Sequence, residues 1–214
     1  MNQPYIIAKE GFPCLAILAV VTVATYLFRP WVAIIPGILF LFVAFFFRNP
    51  KRIIPTDKEA LVSPADGTVM SIEEIEEKEF LRDKAIKVSI FLSIFNVHLN
   101  RCPMEGEIKY INYRPGKFIP AFKSHASDIN EKNFVGIEND RLKIMVTQIT
   151  GFIARRIVCW VKPGDKVAQG DLFGLIKFGS CTELIVPKNV EIKVKPGQKV
   201  VGGITVIGRL KNEY

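Results

Sequence analysis

VKPGDKVAQG (Val161–Gly170) returns 33 residues later as VKPGQKVVGG (Val194–Gly203), with seven of ten positions identical. Each copy reads as a strand, a Pro-Gly turn, a short strand, and a glycine turn into another strand. Two copies of one unit predict a small pseudo-symmetric β-sandwich built from related halves. The flanking sequence extends that reading. Ala85 to Leu99 is dense in β-branched and aromatic residues and predicts one long strand; Leu142–Ile149, Ile153–Val161, Leu172–Phe178 and Glu183–Val186 predict others. Turns are signalled at Pro64–Gly67, Arg114–Gly116, Lys162–Asp165 and Lys195–Gly197. Glu-rich Ser71–Leu81 predicts a short helix or an acidic loop, and polar Ala126–Asn133 a loop.

The N-terminal quarter is different. Hydrophobic residues make up 49% of the 214-residue chain and charged residues 23%, which excludes global disorder. A mean hydropathy of +0.23 places an apolar excess somewhere. It lies in two uncharged runs, Gly11–Phe28 and Trp31–Phe47, separated by Arg29-Pro30. Their lengths suit a transmembrane helical hairpin, or a re-entrant one if Pro36-Gly37 breaks the second helix. A cleaved signal peptide has a different layout. Lys9 precedes the first run, Arg48, Lys51 and Arg52 follow the second, and only Arg29 lies between, so both ends are expected in the cytoplasm. The expected domains are a membrane hairpin with its basic flank, 1–52, and a β domain, 53–214, on the cytoplasmic side of the cell membrane.

The formal net charge is +8. Basic charge beside a membrane anchor points to anionic headgroups. The basic residues are dispersed and form no nucleic-acid-binding motif. Cys14, Cys102, Cys159 and Cys181 lack the paired spacing of a disulfide framework or zinc site, and two isolated histidines, His98 and His125, do not add one, so no metal is expected. The stretch KFGSCTE (Lys177–Glu183) ends one apolar strand and starts another. Its Gly179-Ser180 pair permits an unusual backbone and leaves a carbonyl open to the next hydroxyl. Attack would exchange the peptide bond for an ester, and β-elimination would convert Ser180 into a pyruvoyl group.

The Pro-Gly hairpins resemble those of lipoyl- and biotinyl-type hammerhead β-sandwiches, and Ser63–Val69 resembles the opening strand of the same folds. Taken with the N-terminal hairpin, RNPKR (Arg48–Arg52), VSPADGT (Val62–Thr68), FLSIFNVH (Phe91–His98), NRCP (Asn100–Pro103), YRPGKF (Tyr113–Phe118) and FGS (Phe178–Ser180), the chain resembles the short form of the phosphatidylserine decarboxylase proenzyme family along nearly its whole length. That resemblance implies self-cleavage between Gly179 and Ser180 into chains 1–179 and 180–214. It implies a pyruvoyl cofactor derived from Ser180, and decarboxylation of phosphatidylserine to phosphatidylethanolamine through a Schiff base. It also implies that Asp66 orients and polarises His98, the base that activates Ser180. Some longer members of the family it resembles carry a second His after His98, where this chain has Leu99-Asn100-Arg101-Cys102. The alternative is a non-enzymatic, membrane-anchored lipoyl-like adaptor. It accounts for the repeat and the anchor, but not for the Ser180 context. The oligomeric state, a homo-oligomer included, stays open.

Overall fold

The computed structural model describes residues 5–119, 129–151, 156–177 and 180–211, and divides into two compact units, one from Gln3 to Lys51 and one from Arg52 onward. The first is a helical hairpin of α1 (Phe12–Phe28) and α2 (Ile34–Phe46). Pro36 does not break α2. It sits in the first turn, where a missing N–H removes no helical bond. Leu27, Phe28, Ile35, Ile38 and Leu41 are all more than half exposed, as suits surface facing lipid. Lys9–Phe28 is long and apolar enough to cross a membrane, whereas α2 is shorter. The two ends of the hairpin meet: Ala8 N–H donates to Phe47 O at 2.8 Å and Asn49 N–H to Ile6 O at 2.6 Å.

The second unit is β throughout. Its first half of chain forms β1 (Ala60–Val62), β2 (Gly67–Glu77), β3 (Asp83–Leu92), β4 (Leu99–Arg101), β5 (Gly106–Arg114), β6 (Lys132–Glu138) and β7 (Lys143–Ile149). There follow β8 (Arg156–Cys159), β9 (Lys166–Val167), β10 (Leu172–Lys177), β11 (Ser180–Pro187), β12 (Val190–Ile192), β13 (Lys199–Val200) and β14 (Val206–Leu210). A curled eight-stranded sheet has the order β13-β2-β3-β11-β7-β6-β5-β9, and two three-stranded sheets have the orders β1-β14-β12 and β4-β10-β8. The sheets share one apolar core, including Leu61, Val88, Ile90, Val135, Val146, Phe173, Leu184 and Ile207.

These orders are palindromic about the β11–β7 boundary, and the hydrogen bonds repeat with them. Gly164 N–H donates to Ile108 O as Gly197 N–H does to Val69 O, both at 2.8 Å. Gly170 N–H donates to Cys102 O as Gly203 N–H does to Ser63 O, again both at 2.8 Å. Val62 N–H reaches Pro103 O and Arg101 N–H reaches Pro64 O, each at 2.9 Å. Thus Ser63–Val69 is the counterpart of Cys102–Ile108, a second repeat that shares only Pro and Gly. One half, β4 to β10, is continuous in sequence. The other is β1–β3 plus β11–β14, and the continuous half is inserted between β3 and β11.

Three expectations need correction. Ser71–Leu81 is neither helix nor loop through most of its length, because β2 runs to Glu77. Lys87 holds Glu73 at 3.1 Å across the hairpin, and the Glu77 carboxylate accepts the N–H groups of Glu79, Phe80 and Leu81 to close the turn. Ala85–Leu99 is not one strand. Ser93 N–H bonds Asn96 Oδ1 and Asn96 N–H bonds Ser93 O, both at 2.9 Å, so short polar side chains turn the backbone and β4 starts in another sheet. The strand expected at Ile153–Val161 is observed only from Arg156 to Cys159, residues 152–155 lying outside those described.

Candidate active site

An inserted segment must leave and re-enter its host at nearby points. The host leaves at Leu92 and resumes at Ser180, and these two residues are paired across β3 and β11. In the inserted half the same step, β6 to β7, is a tight turn, with Glu138 paired to Lys143. The interrupted junction carries the candidate chemistry at both ends, His98 on the way out and Ser180 on the way back.

Ser180 opens β11 with a fully buried side chain, and among the described residues its Oγ has no hydrogen-bond partner. A buried hydroxyl without a partner costs free energy and calls for an explanation. Alternation along β11 puts Ser180, Thr182 and Leu184 on the core side. His98 is 2% exposed. Its Nδ1 lies 3.0 Å from Asn96 O, a carbonyl that can only accept, so Nδ1 carries a proton. The His98 carbonyl accepts Ile176 N–H at 3.1 Å. Antiparallel pairing of β4 with β10 means that stepping back from Asn100 to His98 follows β10 forward toward the 179–180 bond. His98 lies two residues before Asn100, and Asn100 touches Thr182, two residues beyond Ser180.

Asp66 follows the turn after β1. Its Oδ2 accepts Arg52 at 2.8 Å and its Oδ1 accepts Gly202 N–H at 2.8 Å, so this carboxylate faces a guanidinium and a backbone amide, and the Asn96 carbonyl takes the place beside His98 Nδ1. Asp66 still borders the strand of His98, since Pro64 O accepts Arg101 N–H. Arg101 is a residue that sequence reasoning missed. It is 8% exposed and donates to Gly170 O at 2.8 Å. Burial pulls its pKa down and Arg52 adds to this, while Asp66 and Asp171 oppose both. Its only signal in the sequence was an arginine between Asn100 and Cys102, where an exposed edge is the ordinary reading.

Gly179 and His125 lie outside the described residues. Cys181 is 3% exposed, and burial, then Glu183, push its thiol well above the usual range, so it stays protonated and does not compete with Ser180 as a nucleophile. Among the described residues no group of three or more His, Cys, Asp or Glu is placed to hold a metal.

A family model for phosphatidylserine decarboxylase matches residues 39–208. The chain belongs to the phosphatidylserine decarboxylase family. A protein of Carboxydothermus hydrogenoformans named phosphatidylserine decarboxylase proenzyme is 57% identical over 212 residues, covering 99% of this chain and 100% of that one. A protein of the same name from Symbiobacterium thermophilum is 46% identical over 213 residues, covering 98% of each chain. Membership in the phosphatidylserine decarboxylase family therefore extends over the helical hairpin as well as the β unit.

Proposed function

We propose that this chain is a self-processing decarboxylase that converts phosphatidylserine to phosphatidylethanolamine with a pyruvoyl group made from its own Ser180. The observation that carries the reading is the buried Ser180 Oγ, without a partner among the described residues, at the junction that also bears His98. Maturation begins when Ser180 Oγ attacks the Gly179 carbonyl carbon. His98 Nε2 takes the hydroxyl proton, with the ring held by the Asn96 carbonyl. The C–N bond then breaks, leaving an ester and an α-amine on residue 180. Loss of the Ser180 α-proton expels the Gly179 carboxylate, and water converts the resulting enamine to a ketone with release of ammonia. Asp66 supports the step at a distance: it holds Arg52 and the Gly202 backbone, and fixes the Pro64 turn against the strand that carries His98.

Ser180 fits the group, being the first residue of its strand and already buried. The pyruvoyl ketone would supply a site for condensation with a primary amine and an electron sink for loss of CO2. His98 is the chain's candidate to return a proton to the substrate's α-carbon. The two products of cleavage stay together, because β11 is flanked by β3 and β7, β13 by β2, and β14 by β1. The apolar hairpin would hold the enzyme at the cytoplasmic face of the cell membrane, where its lipid substrate stays in the bilayer.

Intact-mass analysis of purified protein tests this. Residues 180–214 should appear as a fragment of about 4 kDa with a blocked N-terminus, its share of the 24.1 kDa chain. Ser180→Ala should remain a single uncut chain without decarboxylase activity. A wild-type protein that stays one uncut chain while releasing CO2 from phosphatidylserine would overturn the mechanism.

A further inference from the structure

The core face of the large sheet is apolar along β11, β7 and β6, with Leu184, Val186, Ile144, Val146, Val135 and Ile137 all buried. It turns polar in one row at the end nearest Ser180. Thr182 pairs across the strands with Gln148, and Gln148 with Asn133. Asn100 reaches the row from the smaller sheet. Asn133 Nδ2 donates to Gln148 Oε1 at 3.0 Å, Gln148 Nε2 to Asn100 Oδ1 at 2.9 Å, and Asn100 Nδ2 to Thr182 Oγ1 at 3.0 Å. All four side chains are at least 97% buried. The chain runs in one direction, so each amide is locked in one orientation.

Apolar side chains of similar volume would fill this space, so the row calls for a reason beyond packing. We propose that Asn100 is a positioning residue that holds the two sides of the 179–180 bond in register, with Thr182 as its anchor on the downstream side. Its backbone belongs to β4 and pairs at Gly174 with β10, the strand that leads to the bond. Its side chain grips β11, the strand that leads away. No other described side-chain hydrogen bond joins β4 to β11. Ser180 itself is paired only with β3, and two-sided pairing of β11 begins at Cys181. At the start of β11 one side is thus left to side chains, and the Thr182 contact pins that end two residues from the reacting hydroxyl. Attack by Oγ on the preceding carbonyl demands close alignment, and a displacement of about 1 Å can slow such a step about 100-fold.

The inference rests on the self-processing reading, and the experiment separates the two. Full-length precursor is prepared in detergent micelles as Thr182→Val, Thr182→Ser, Asn100→Leu and Ser180→Ala, and cleavage is followed by intact mass. Thr182→Val, which removes one hydroxyl at nearly constant volume, should slow cleavage about tenfold or more. Thr182→Ser, which keeps the oxygen, should cleave near the wild-type rate. A purely packing role predicts the reverse order, because serine loses the methyl that valine retains. Asn100→Leu should be at least as slow as Thr182→Val, and if it fails to fold, the two Thr182 variants decide. Wild-type cleavage in Thr182→Val, or equal slowing in Thr182→Ser and Thr182→Val, overturns the positioning role and leaves the proposed function standing. Cleavage in Ser180→Ala sinks the proposed function itself.

Discussion

The two halves of the β unit share a frame and differ in what the frame is used for. At the turn after the first strand, the interrupted half has Asp66 and the inserted half has Glu105. Asp66 is 15% exposed and meets Arg52 at 2.8 Å, whereas Glu105 is 51% exposed and lies 3.9 Å from Lys58. Opposite Asp66 stands Gly202, whose bare backbone N–H reaches the carboxylate; its counterpart is Gln169, whose side chain instead bonds Ala60 O and Pro103 O. Where the inserted half has Arg101, the interrupted half has Val62. In the inserted half the third and fourth strands join by a turn in which Asn139 Oδ1 accepts the N–H groups of Arg141 and Leu142. In the other half that turn is replaced by the whole insertion. Duplication thus accounts for the scaffold, and interruption accounts for why His98 and Ser180 both lie at its junction.

The largest expected difference lies at the paired acids. Asp66→Asn leaves Arg52 and the Gly202 loop without their charged partner, and a hydrogen bond to a charged group is worth about 1.5–3 kcal/mol. The Asp66→Asn precursor should therefore cleave about 100-fold more slowly or not at all. Glu105→Gln, the same change at the equivalent position, should cleave at the wild-type rate, because an exposed pair is worth about 0–1 kcal/mol. Time courses of chain cleavage on denaturing gels check both, and equal effects would erase the distinction between the halves.

The next contrast runs within the repeat. Gly170 and Gly203 end its two copies with φ of +83° and +77°; a Cβ on Gly170 would strike Ile54 Cδ1 at 2.5 Å, and one on Gly203 would strike Arg101 Cδ at 2.8 Å and Ile54 Cδ1 at 3.0 Å. Gly164 and Gly197 have φ of +93° and +84°, with nothing within 4 Å of an added Cβ. Gly164→Ala and Gly197→Ala should cost only the left-handed backbone, about 1–2 kcal/mol. Gly170→Ala and Gly203→Ala should add an overpacking penalty of about 1–3 kcal/mol. Thermal unfolding of the detergent-solubilised chain, read by circular dichroism, should sort the four variants into these two pairs. Sorting by copy instead of by position would show that the halves are not equivalent.

Much of this frame was legible because the Pro-Gly hairpins need particular residue types: proline for a fixed φ, glycine for a positive one. The Ser63–Val69 and Cys102–Ile108 match was not, because a strand at that place requires only alternation, and Pro and Gly are all that survive in common. The Gly179-Ser180 pair stood out only through resemblance, since most Gly-Ser pairs are ordinary turns. Arg101 and the row Asn133–Gln148–Asn100–Thr182 were invisible, because their partners lie far apart in the chain and a polar residue in a strand carries no mark of being buried. Ser71–Leu81 misled because its glutamates resemble a helix surface, whereas Glu73 and Glu74 find Lys87 and Lys188, Glu77 caps a turn, and Glu79 reaches Tyr110 and Arg114.

The smallest expected effect tests how the halves are joined on the outer face. Glu79, in the turn between β2 and β3, reaches β5 of the inserted half, where Tyr110 Oη donates to it at 2.8 Å and Arg114 pairs with it. Phe80 stacks on Tyr110 with ring centroids 5.8 Å apart. The Tyr110 hydrogen bond, then that of Arg114, holds the Glu79 carboxyl below its ordinary value of 4.5. A carboxylate with a depressed folded pKa contributes stability above its unfolded pKa, and that contribution is lost as pH falls through the folded one. Glu79→Gln should therefore be less stable than wild type at pH 7, by about 1 kcal/mol or less for a partly exposed pair. The gap should narrow as the pH falls below about 4.5 and close once Glu79 is protonated in the folded state. Paired unfolding curves at pH 7 and pH 3 read it directly. A gap that persists unchanged at pH 3 would assign the contact to shape alone, and the bond between the halves on this face would then be the Phe80–Tyr110 stack.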